Sequence, residues 1–134
     1  MSKLHVQLVM PQEKLLDDDF DIVSVPGIEG NFEILQDHSP FITQLRPGTI
    51  YVTKDDHHES FAIHDGFVTV ENNEVLILSE SCENKEDIDL ERAIAAKERA
   101  EKRLLETDNT NNIDMRRAEE ALKRAVARIN TRKN

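Results

Sequence analysis

Tryptophan is absent from this chain and tyrosine occurs once, so aromatic surfaces for stacking are scarce. Cysteine also occurs once, as Cys82, which excludes an internal disulfide and leaves no CxxC pair or cysteine cluster for zinc. That usage fits a reducing compartment. No stretch holds 18 consecutive apolar residues. The opening MSKLHVQLVMPQEK has only a short apolar run closed by Pro11, which predicts neither a signal peptide nor a membrane span. Positive charge is missing from most of the chain. Residues 1–82 carry 4 Lys/Arg against 15 Asp/Glu, whereas residues 83–134 carry 13 against 12. The first part should repel nucleic acid and anionic lipid, which argues against a nucleic-acid-binding protein. The second leaves room for a local anion site.

Catalytic signatures are missing as well. There is no GxGxxG, Walker A or HExxH motif, and PGIEG lacks the lysine and the strand-to-helix setting of a phosphate loop. No serine sits on a nucleophile elbow. The five histidines lack the spacing of zinc ligands, and His5, His57, His58 and His64 read as exposed loop histidines. His38, in the extended QDHSPF segment, reads as either a buried or hydrogen-bonded loop residue or part of a contact surface. Neither catalytic nor metal-binding residues are therefore expected.

What is present divides the chain in two. KLHVQLVM, FDIVSV, NFEIL, TIYVT and SFAIHDGFVTVENNEVLILSE alternate polar and apolar residues. They are separated by turn signals at Pro26-Gly27, Pro47-Gly48, Asp65-Gly66 and Asn72-Asn73. Short strands at such spacing predict an antiparallel β-sandwich or barrel over residues 1–84. From Asp87 to Leu105 the period changes to that of a helix, with Leu90, Ala93, Ile94, Ala96, Ala100 and Leu104 on one stripe. After the polar joint ETDNTNN, a second stripe runs through Ile113, Ala118, Ala121, Leu122, Ala125, Val126 and Ile129. A short joint predicts an antiparallel α-helical hairpin over residues 85–134. Its alanine seam buries little apolar area, so the hairpin should depend on the sandwich, a partner or a ligand.

The segment EDIDLERAIAAKERA, from Glu86 to Ala100, leaves two readings open. Asp87 or Asp89 can cap a helix whose arginines are merely solvated. Alternatively, Arg92 and Arg99 share one face of the first helix, and Arg124 and Arg128 share one face of the second. In an antiparallel hairpin these four could line a cleft that needs an anion, a polyphosphate above all. In that reading Asp87 starts the helix, and Asp89 takes a base amino group or a ribose hydroxyl, or pairs with one of the arginines.

Three blocks in this order, VPGIEGNFEILQDHSPFITQLRPGTIYV, FAIHDGFVTVENNEVLILSESCENKEDIDLERA and the alanine-rich pair ending in LKRAVARI, span almost the whole chain. They resemble the epsilon subunits of bacterial F-type ATP synthases. The resemblance implies a flattened sandwich of about ten strands followed by a helical hairpin, with no chemistry of its own. It implies a proton-translocating complex at the cytoplasmic face of the cell membrane, bound peripherally and without membrane insertion. The implied partners are the gamma subunit, the c-subunit ring and, when the hairpin is extended, the alpha/beta catalytic hexamer, whose ATP hydrolysis it inhibits. The ring-facing turn would span Glu29, Gly30, Asn31, Phe32 and Glu33, with His38 beside it. QDHSP stands where relatives often read PGHAP, and Asn31 where they often carry an acid. The family's I-D-x-x-R-A motif falls on Ile88, Asp89, Arg92 and Ala93. With Glu83, Arg99, Arg124 and Arg128 it implies regulatory ATP binding that favours the folded hairpin, magnesium not being obligatory. A free-standing nucleotide-sensing module is the alternative.

Overall fold

A computed structural model describes residues 3–106 and 112–133. Ten strands come first: β1 (Leu4–Met10), β2 (Glu13–Phe20), β3 (Ile22–Gly27), β4 (Gly30–Leu35) and β5 (Phe41–Leu45), then β6 (Gly48–Lys54), β7 (His57–Ile63), β8 (Gly66–Glu71), β9 (Glu74–Leu78) and β10 (Cys82–Asn84). Two helices follow, α1 (Leu90–Glu106) and α2 (Asn112–Lys133), after a 3-10 turn at Lys85–Asp87. The architecture is the sandwich and hairpin that the sequence predicts.

Hydrogen bonding runs in the order β10-β7-β6-β3-β5-β8-β9-β1-β2, with β4 beside β3. β3 and β5 meet only where Gly27 faces Leu45, and there the sheet folds over into two layers. The core fills the space between them. Val23, Val25, Ile50, Val52, Phe61 and Ile63 come from one layer, and Leu4, Val6, Leu8, Val68, Val70, Val75 and Ile77 from the other. These are the inward positions of the period-two runs, where alternate side chains fall on one face.

Turn chemistry sets the register. Asn72 and Asn73 both have positive φ, which suits the two-residue hairpin joining β8 to β9, with Glu71 opposite Glu74. Ile28 and Glu29 form the turn between β3 and β4, closed by Gly30 at φ +140°. Three features depart from the sequence reading. β1 pairs with β9 in parallel, and strands β2 to β8 serve as the connection in place of a helical crossover. FDIVSV is cut at Asp21, between β2 and β3. β2 itself, EKLLDDDF, escapes the alternation test because it carries three successive acids. It ends the sheet, where charged side chains deter pairing with another chain.

Ala93 and Ala100 of α1, and Ala118 and Ala125 of α2, are buried in the seam of the hairpin. α2 provides the main contact with the sandwich, resting on β6 and β7 through Ala127 and Thr131. Residues 107–111 of the polar joint and the side chain of Ile113 lie outside the described residues.

Candidate functional site

β10 leads directly into the site. Asn84 accepts a hydrogen bond from the Glu86 N–H (3.0 Å) and starts the 3-10 turn. Asp87 closes that turn and does not cap α1, which decides between the two aspartates that the sequence leaves open as caps. Ile88 is extended and buried, so the chain is anchored before α1 begins. Asp89 is the cap: its Oδ1 accepts from the Arg92 N–H (3.2 Å) and its carbonyl from the Ala93 N–H (3.0 Å). Of the two aspartates the cap is therefore the motif residue, which stands where backbone donors are unsatisfied.

Glu83, Asp87, Asp89, Arg92, Ala93, Ala96, Arg99 and Arg128 line one cleft of about 310 Å³. This is at the lower end of the ~300–1,000 Å³ range usual for small-molecule sites. Its walls come from β10, the turn, the first half of α1 and the last third of α2. Three guanidiniums face three carboxylates, so the cleft is electrically balanced and the arginines do not simply repel one another. Ala93 and Ala96 keep its floor low.

Glu83 joins the sandwich to the hairpin. Its Oε1 accepts a hydrogen bond from Arg128 Nε and lies 3.4 Å from His64 Nε2. Partial burial pushes the Glu83 carboxyl up, but the hydrogen bond and charge of Arg128, with help from His64, hold it below the usual carboxylate range. His64 is buried, not an exposed loop residue as the sequence suggested. Burial, and then the Arg128 charge, push its imidazole below the usual range, against the pull of Glu83. The neighbouring Cys82 is buried too, and its thiol is pushed up to about 12, so it is chemically quiet.

Arg124 is not in this cleft. It lines a neighbouring cavity of about 680 Å³ between the sandwich and α2, together with Arg46, His64 and Lys123. Four residues along a helix amount to a rotation of about 40°, which carries Arg124 toward that cavity while Arg128 faces β10 and α1. Ile88 is buried beside the cleft without lining it. Of the eight motif residues, Glu83, Asp89, Arg92, Ala93, Arg99 and Arg128 come together. Sequence reasoning missed Asp87 and Ala96 as cleft residues, although Ala96 lies one turn beyond Arg92. It also missed His64, which reaches Glu83 only because β7 pairs with β10.

The residues read as partner contacts occupy the β3–β4 hairpin and its surroundings. Glu29 is in the turn itself, whereas Gly30, Asn31, Phe32 and Glu33 already belong to β4. Asn31 Oδ1 accepts from Arg46 Nη2 (2.6 Å). Phe32 and His38 both approach the Phe41 ring edge-on, at 5.2 and 6.2 Å between centroids. His38 Nδ1 donates to the Ser39 carbonyl (2.7 Å). On the outer face of β5, β8 and β9, Ile42 (68%), Phe67 (51%) and Leu78 (45%) are exposed, an apolar surface the sequence reading did not single out.

The far end of α2 is pinned by a hydroxyl pair. Thr131 Oγ1 donates to the Ala127 carbonyl (2.7 Å), which leaves it to accept from Thr49 Oγ1 at 2.7 Å. Thr131→Val is expected to cost about 1 kcal/mol of docking, read as faster amide exchange in the last turns of α2. Among the described residues no group of three or more His, Cys, Asp or Glu is placed to hold a metal ion. Nor is any helix among them long and apolar enough to cross a membrane.

Two family models match the chain in succession. The ATP synthase delta/epsilon chain β-sandwich domain covers residues 3–85, and the long α-helix domain of the same chain covers residues 86–133. The ATP synthase epsilon chain of Desulfitobacterium hafniense strain Y51 is 44% identical over 129 residues, covering 96% of each chain. That of Nitratidesulfovibrio vulgaris strain DP4 is 40% identical, over 99% of this chain and 98% of its own. That of Halalkalibacterium halodurans is 43% identical over 96% of each. Among solved structures, a chain of the Euglena gracilis mitochondrial ATP synthase (OSCP/F1/c-ring) superposes with a TM-score of 0.84 at 22% identity, over 95% of this chain and 79% of that one. A chain of the Tetrahymena thermophila mitochondrial ATP synthase central stalk and c-ring gives 0.63 at 16%, over 98% and 95%. With its sandwich, its hairpin and its whole described length matched, the chain belongs to the delta/epsilon chain family of ATP synthase, as a non-catalytic epsilon subunit of the central stalk.

Proposed function

We propose that this chain couples the gamma subunit to the c-subunit ring and restrains ATP hydrolysis through its hairpin, with ATP binding in the cleft favouring the folded, non-inhibiting state. The observation that carries this reading is that six of the eight motif residues line one cleft built jointly by β10, α1 and α2. Such a cleft exists only while the hairpin is folded. A ligand that needs it therefore shifts the population toward that state by its differential affinity.

Arg92, Arg99 and Arg128 supply planar donors suited to phosphate oxygens. Asp89 uses Oδ1 as a cap, and its other carboxylate oxygen can accept from a ribose hydroxyl or a base amino group. Magnesium is not an obligatory ligand in this reading. Residues 1–84 act as the coupling unit and residues 85–134 as the regulator. The apolar face of Ile42, Phe67 and Leu78 suits gamma, and the Glu29–Glu33 segment with His38 suits the ring. Released and extended, the hairpin with its many basic residues would reach the alpha/beta hexamer. The working place is the cytoplasmic face of the cell membrane, as a peripheral part of a proton-translocating synthase.

Calorimetric titration of ATP into the full chain tests the site. Arg92→Ala is expected to weaken binding roughly tenfold or more, as loss of a charge-assisted contact does. Arg124→Ala, outside the cleft, should have the smaller effect. Affinity unchanged in both Arg92→Ala and Arg99→Ala would overturn the assignment.

A further inference from the structure

We propose that His64 is a positioning residue of the cleft: its Nε2–H holds the Glu83 carboxylate where it can grip Arg128, and so fixes the hairpin to the sandwich. This rests on the cleft being the ligand site. The contact geometry, however, has a consequence that needs no ligand.

His64 follows β7, its backbone N–H held by the Ser81 carbonyl (3.2 Å), and its residue is 7% exposed. Only one of its ring nitrogens has a partner among the described residues. Nε2 faces Glu83 Oε1 at 3.4 Å, while buried Nδ1 has none. That asymmetry decides the tautomer. A proton on Nδ1 would bury an unsatisfied N–H and turn the Nε2 lone pair toward a carboxylate oxygen, two penalties at once. With the proton on Nε2, the ring donates to Glu83 and leaves only a lone pair unpaired. The same Oε1 accepts from Arg128 Nε, so one oxygen ties β7, β10 and α2 together. Glu83 alone could rotate away from the hairpin, and the imidazole limits that freedom.

A second proton on the ring would break the arrangement. It would create the unsatisfied Nδ1–H and set a cation against Arg128 and Arg124 of α2, with Glu83 of β10 opposing them. Around the adjoining cavity Asp65 and Glu80 of the sandwich and Glu120 of α2 balance Arg46, Lys123 and Arg124. Release of the hairpin removes both arginines and part of the burial. His64 is below its ordinary 6.5 when the hairpin is docked and returns toward it on release. The released state therefore binds the proton. Docking is at full strength above the ordinary value and weakens as pH falls below it toward the depressed one.

The test compares wild type, His64→Leu and His64→Gln as full chains. Protection of α2 amides against exchange is measured without nucleotide from about pH 8 down to about pH 5.5, and ATP is titrated separately near pH 7.5. His64→Leu should lose roughly tenfold in both protection and ATP affinity, the loss expected for one hydrogen bond to a charged group. His64→Gln, which keeps a donor at the Nε2 position but cannot titrate, should restore both and lose the acid step. His5, bracketed by Asp17 and Glu74, also titrates but is common to all three chains. Wild-type behaviour in His64→Leu, or an acid step that survives in His64→Gln, overturns the proposal. Should wild type bind no ATP while protection follows this pattern, the ligand reading fails and the His64 contact stands.

Discussion

Arg128→Ala is expected to lower ATP affinity about a hundredfold, or ~2.7 kcal/mol, and to loosen the hairpin even without nucleotide. Arg128 serves both sides of the cleft. It offers a guanidinium to the ligand and donates to Glu83, the acid that reaches across from the sandwich. Its removal leaves Glu83 half-buried with only His64 beside it. Breaking a fully buried ion pair costs ~3–5 kcal/mol. Both side chains here are 32% exposed, so water relieves part of that loss and the lower figure applies. Arg128→Lys separates charge from shape: it should recover some docking yet little affinity, because an ammonium cannot reproduce the planar fork. A double-mutant cycle with Glu83→Gln should show strong coupling in docking. The checks are ATP calorimetry and exchange protection of α2 amides. If Arg128→Ala leaves both unchanged, the cleft is neither the ligand site nor the attachment point.

Gly66→Ala is expected to destabilise the sandwich by at least ~3 kcal/mol, from backbone strain and collision together. Gly66 opens β8 at φ +145°, where a side chain is strained, and an added Cβ would stand 2.3 Å from the Leu78 carbonyl oxygen of β9. A backbone oxygen cannot move aside as a flexible side chain would, so the β8–β9 ladder itself must shift. Gly30→Ala provides the comparison. Its φ is similar, +140°, but nothing lies within 4 Å of the added Cβ, so strain alone remains, ~1–3 kcal/mol. Urea unfolding of both variants measures the difference. Equal losses would mean that the Leu78 contact contributes nothing. Because Phe67 and Leu78 flank the glycine, Gly66→Ala should also disturb the apolar outer face.

Much of this molecule can be read from local pattern. The inward positions Phe61/Ile63, Val68/Val70 and Val75/Ile77 are buried because alternation along a strand is a property of the backbone, whatever the strand's neighbours. Asn72-Asn73 announced its hairpin because asparagine tolerates positive φ. Arg92 and Arg99 share a cleft because seven residues make nearly two turns. β2 was overlooked because its three acids suit an edge strand, and a sheet's edge is known only once the strands are ordered.

The composition and periodicity of the sequence thus determined the sandwich, the hairpin and the arginine face of α1, all set by contacts within a few residues. Tertiary structure alone decided that Asp89 and not Asp87 caps α1, because buried Ile88 anchors the chain between them. It likewise turned Arg124 out of the cleft, where the orientation of α2 on β6 and β7 separates two arginines that helical spacing puts together. It brought His64 to Glu83 as well, across the β7–β10 pairing and 19 residues of chain. Each of these depends on where one element lies on another, and packing sets that through surfaces distant in sequence.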